Sequence, residues 1–101
     1  MPRSSNSSID AIRAHLEREF PGQIQHIWWD REAQAHVFEI SHETARHHVS
    51  APAIFIERCQ DVDNSLRMSE LADYMREART QDRRFVLLEA EGTTRVRSVP
   101  L

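Results

Sequence analysis

Apolar residues recur along this 101-residue chain in two rhythms, helical spacing and strict alternation, and the switches between them mark its elements. Ile9, Ile12, Leu16 and Phe20 fall three or four apart and form one stripe of an amphipathic helix. Ser7 or Ser8 supplies an N-cap, and Asp10, three residues after Ser7, forms a weak capping box. Pro21-Gly22 ends the helix. Residues Met1 to Asn6 are polar, and fraying is expected there.

Three strands follow. Gln23 to Asp30 is rich in Ile and Trp, and Asp30-Arg31-Glu32-Ala33 is a polar turn. Gln34 to Ser41 and Thr44 to Ser50 are the next two, joined through a His42-Glu43 turn. That turn predicts Glu39 opposite Arg46 as a cross-strand ion pair. Ser50-Ala51-Pro52 then reads as a helix start, with Ser as cap and Pro in the first turn. The run Ala53-Ile54-Phe55-Ile56 fits helix or strand, and the cap favours a helix running to about Cys59. Asp61 to Ser65 is a polar break. Leu66 to Arg79 is a further helix, with Met68, Leu71, Ala72, Met75 and Ala78 on one face. Arg84 to Ala90 is a strand apolar on both sides, so it is expected at the centre of the sheet and covered twice. Glu91-Gly92 turns the chain into a last strand, Thr93 to Val99.

The predicted order is α-β-β-β-α-α-β-β: a single α+β domain over residues 1–101, with an antiparallel sheet of about five strands packed by helices. That order loosely resembles the one in class I type III secretion chaperones, a likeness of element order with no motif behind it.

Composition narrows the chemistry. Thirteen basic residues are all Arg, which points to a GC-rich, bacterial coding sequence. With no Lys there is no Schiff-base or phosphate-loop lysine, and two glycines cannot build a phosphate cradle. A net charge of −3, with Arg interleaved among Asp and Glu, argues against duplex nucleic acid as the main partner. No run reaches the ~20 apolar residues of a membrane span, and no secretory signal is seen, so the expected location is the cytoplasm. The single Cys59 agrees with a reducing compartment.

Four of the six histidines lie between His36 and His48. With the His42-Glu43 turn, Phe38 faces His47 and His36 faces Val49, so His36 and His47 become diagonal neighbours on one face. They form the one candidate metal pair. A zinc site needs three or four ligands, and no face collects more than two histidines. Cys59 falls late in its helix, where the dipole opposes a thiolate. Asp61-Val62-Asp63-Asn64-Ser65 opens like a calcium loop, but Leu66 and Ala72 stand where Gly and Glu are required.

Trp28 and Trp29 are adjacent on a strand and must point to opposite faces. One is expected to join the core beside Ile27. The other shares a side with Val37 and needs a cover: a helix, a second copy or a partner. Arg95 and Arg97 alternate along the last strand and suit an acidic partner or a charge-protected edge. The expected function is binding another protein, or its own copy as a homodimer, through Trp28, Trp29, Val37, Arg95 and Arg97, with no cofactor. A histidine-based metal or pH site, or a small enzyme, is the rival. A nucleic-acid module carried by Arg83, Arg84, Arg95 and Arg97 with Trp28 is third.

Overall fold

The two periodicities resolve into five strands and four helices in a computed structural model that describes residues 3–101. Helix α1 (Arg3–Glu19) leads into β1 (Ile24–Asp30), β2 (Ala35–His42) and β3 (Ala45–Pro52). Three short helices follow, α2 (Ala53–Arg58), α3 (Val62–Arg67) and α4 (Leu71–Glu77), then the hairpin β4 (Arg83–Ala90) and β5 (Thr93–Pro100). The strands lie in chain order, β1-β2-β3-β4-β5. Every junction is antiparallel except β3–β4, which is parallel, so the sheet is mixed rather than wholly antiparallel. A parallel junction needs a long crossover, and α2, α3 and α4 provide it.

The core lies between one sheet face and the helices. Phe38, Ile40, Val49, Ala51, Phe85 and Leu87 from the strands meet Ile12, Leu16, Phe55, Leu66, Leu71 and Met75 from the helices, all fully or almost fully buried. The register explains the choice of side chains: Phe38 pairs with Val49 and Val49 with Phe85, so one face stacks large apolar groups across three strands.

Several boundaries differ from expectation, each for a local reason. Helix α1 already runs at Arg3, so Ser7 and Ser8 are interior rather than capping, and residues 3–6 are helical rather than frayed. Met1 and Pro2 lie outside the described residues. Strand β3 continues through Ser50 to Pro52 because the chain still pairs there, His36 with Ala51 and Ala35 with Pro52. Pro52, with φ −61°, is the N-cap of α2, without a side-chain cap. Residues 53–56 are helical. The Leu66–Arg79 helix is two helices. Asp61 caps α3 by accepting from the Asn64 N–H at 3.1 Å. Ser69 then breaks the run: its hydroxyl donates to the Leu66 carbonyl and its oxygen receives the Leu71 N–H. Met68 falls in this break and is exposed rather than in the core.

The start of β3 is tied to the end of the crossover. His47 is fully buried and its Nε2 lies 2.9 Å from the Ala78 carbonyl and 3.1 Å from that of Gln81. Both partners only accept, so Nε2 carries the proton and donates. The Thr44 N–H donates to the Arg79 carbonyl, and the Arg46 N–H to Asp82 Oδ1 at 2.8 Å.

Two measurements check this assignment. Phe85→Ala should lower unfolding free energy by about 3–5 kcal/mol in chemical denaturation, since it empties the middle of the core. His47→Leu keeps the volume but strands two carbonyls, and should cost about 1–3 kcal/mol.

Candidate functional site

Alternation along the strands sorts every side chain onto the helix-covered face or the opposite one. On the opposite face the register builds straight rows across the sheet. One row is Trp28, Val37, Ser50, Val86 and Arg97. Beside it runs His26, Glu39, His48, Arg84 and Val99. Val37, though buried, is absent from the helix-packed cluster, as are Val86 and Leu88. Among the described residues no helix covers this face. Its apolar centre is screened only by neighbouring strand side chains.

The exposure collects at β1, an edge strand. Ile27, Trp28 and Trp29 are 38%, 37% and 42% exposed. The expected split of the two tryptophans is present, but neither joins the core. Trp28 pairs with Val37 and sets its ring edge-on to His48, with centroids 5.2 Å apart. Trp29 pairs with His36, centroids 4.9 Å apart, on the helix side. There Trp29, His36, Ala53, Ile56 and Glu57 line an apolar cleft of about 180 Å³. Sequence reasoning missed Ile27, Val86 and Leu88 as surface groups. Their apolar character read as burial; Val86 and Leu88 lie on the face without helices, and Ile27 lies on the helix side but on an edge strand.

The structure separates the candidate metal pair. The turn after β2 is Glu43-Thr44, with Glu43 at φ 58° and His42 paired to Ala45, one residue later than expected. Phe38 therefore faces Val49, Ile40 faces His47 and His36 faces Ala51. His36 and His47 stay on one face but lie four residues apart along the ladder, roughly 13 Å by strand rise. The nearer neighbour of His47 is His42, with ring centroids 5.9 Å apart. Glu39 faces His48 instead of Arg46, with Nε2 3.8 Å from Oε1. No cluster of three or more His, Cys, Asp or Glu with metal-binding geometry occurs among the described residues.

The remaining candidates divide as follows. Arg95 and Arg97 stand on β5, the other edge of the sheet, and Arg95 Nη1 lies 3.4 Å from Glu70 Oε1 at the start of α4. Arg84, Arg95 and Arg97 share the helix-free face with Trp28, whereas Arg83 Nε donates to Ser98 Oγ. Cys59 is a buried thiol. It adjoins an open depression of about 670 Å³ between α1 and the α2–α3 connection, lined largely by Ser, Glu, Asp and Gln side chains.

Burial holds four imidazoles below their ordinary basicity. His15, His36 and His42 are lowered chiefly by desolvation. In His48 desolvation outweighs the opposing pull of Glu39.

Comparison with protein-family models, curated proteins and solved structures finds no match to this chain. Among the described residues no helix is long and apolar enough to cross a membrane.

The lowered imidazoles set a sign for the pH response. Below the unfolded value of 6.5 the unfolded chain binds more protons than the folded one, so stability falls as the pH is lowered. Full stability is present above that value. Carboxylates such as Glu19, held low by its hydrogen bond from Arg76, respond only in more acid solution. The melting temperature should therefore decline between about pH 7 and about pH 5, and His48→Gln should remove part of the decline. A flat melting profile across that window would contradict the burial of these rings.

Proposed function

We propose that this chain acts by binding another protein, and that the helix-free sheet face with the adjoining β1 edge is its docking surface. The observation that carries this reading is the one-sidedness of the helices. A five-stranded sheet with a row through Trp28, Val37 and Val86 has a layer on one face and, among the described residues, none on the other. On this face Trp28 and Leu88 are exposed with charged residues beside them, and exposed apolar groups rimmed by charge mark interaction sites. Trp28 is the natural anchor, because aromatic side chains carry a large share of interface energy. Arg97 closes the same row at its far end, and Arg95 lies on the same strand. Both suit a partner with an acidic border.

A second reading draws on the shared face of Arg84, Arg95, Arg97 and Trp28. A single-stranded nucleic acid could stack on the ring and run along the arginines. Glu39 and Asp30 on the same face oppose it. Oligonucleotide affinity that falls steeply with salt would establish this reading in place of the first.

The test is capture from an extract of the native host by the immobilised full chain, followed by direct affinity measurement on the protein retained. Trp28→Ala and Val86→Glu should each weaken binding by roughly 10-fold to 30-fold. Glu17→Arg, on the exposed side of α1, should not. Unchanged affinity in both face variants would remove this surface from the mechanism.

A further inference from the structure

We propose that the β1 edge is where a second copy of this chain docks, by antiparallel strand pairing centred on Trp28. The proposal rests on the reading of this region as a docking surface and names its occupant.

The backbone directions come first. The Ser41 N–H donates to the Gln23 carbonyl at 3.0 Å, so Ser41 points its main chain towards β1. Main-chain direction alternates along a strand, so Glu39, Val37 and Ala35 point the same way. Their partners His26, Trp28 and Asp30 are therefore the β1 residues bonded to β2. Ile27 and Trp29 send their N–H and C=O groups outward. The free edge thus offers four main-chain groups on two alternate residues, set between exposed apolar side chains.

The two edges of the sheet are not equivalent. Strand β5 carries exposed Arg95 and Arg97 and ends in Pro100, devices that discourage strand addition. Strand β1 carries none of these between Ile24 and Asp30. Its one irregularity is a bulge at Gln25, which confines regular pairing to residues 26–30.

Self-pairing must bring outward residues opposite outward residues. Centred on Trp28, the pairing sets Ile27 against the partner's Trp29 and Trp29 against the partner's Ile27, and uses all four outward residues of the two strands. It sets Trp28 against the partner's Trp28 at a closely spaced, non-hydrogen-bonded site, where cross-strand aromatic pairs are most favourable. It also sets His26 against the partner's Asp30, an imidazole against a carboxylate. The partner's Ile27 then meets Trp29 at the mouth of the 180 Å³ cleft. Centring on Ile27 instead puts Trp29 against the bulged Gln25 and Asp30 against Ile24, and loses both complementarities. A two-fold pair of this kind joins the sheets of two copies edge to edge and covers Ile27, Trp28 and Trp29 of both.

The experiment uses the full chain. Light scattering after gel filtration should give twice the mass of one chain at micromolar concentration. Ile27→Pro should give a folded monomer that still melts cooperatively, because the N–H it removes has no partner within the chain, and its melting temperature should no longer depend on concentration. In a Cys59→Ala background, Trp28→Cys should join two copies through a disulfide under mild oxidation, since opposed Cα atoms at such a site lie about 4.5 Å apart. Ile27→Cys and Trp29→Cys should each fail alone and cross-link when mixed. A monomeric wild-type chain overturns the proposal, as does cross-linking by Ile27→Cys or Trp29→Cys alone in place of Trp28→Cys. A monomer that still loses its captured protein on Val86→Glu overturns this pairing while leaving the docking face in place.

Discussion

The parallel junction between β3 and β4 constrains everything else in this molecule. Two parallel neighbours cannot be joined by a tight turn, so the chain must travel back over the sheet before β4 can begin. Residues 53–82 make that journey as three short helices on one face, and α1 packs against them there. One face receives all the helical cover. Among the described residues the other receives none, although Trp28, Val37, Val86 and Leu88 lie on it. The helix-free row through Trp28, Val37 and Val86 is thus a consequence of topology as much as of sequence.

Element type was readable from the sequence wherever periodicity was strong. The alternating segments became strands, and Ile12, Leu16 and Phe20 became the buried stripe of α1. What could not be read was relative placement. A continuous apolar run such as Phe85-Val86-Leu87-Leu88 implies burial on both sides, but it cannot reveal that the second cover is missing. A single serine, Ser69, divided what periodicity showed as one helix. Its hydroxyl competes with the backbone in a way that apolar spacing does not register.

The candidate site shows the same limit at finer scale. Moving the β2–β3 turn by one residue changed every pairing by two and left every side chain on its expected face. The face assignment of Trp28, Val37, His36 and His47 therefore survived an error that destroyed their neighbour relations. Pair-specific chemistry, such as a two-histidine ligand set, depends on register and was lost. Face-specific chemistry depends only on parity and was kept. That difference explains why the face shared by Trp28 and Val37 could be anticipated from this chain while the pairing of His36 with His47 could not.

The ties between the start of β3 and residues 78–82 bear on how the chain assembles. β1, β2 and β3 are joined by short turns, as are β4 and β5, so both units can form from nearby contacts. Their union requires closure of the whole crossover, a loss of chain entropy that local turns do not incur. His47, Thr44 and Arg46 hold the far end of that crossover through backbone groups of Ala78, Gln81, Arg79 and Asp82. The strand that β4 must join thus carries its own clamp for the segment that delivers it. Closing that crossover carries the largest loss of chain entropy in the topology, and the buried His47 is one of the groups that hold it closed.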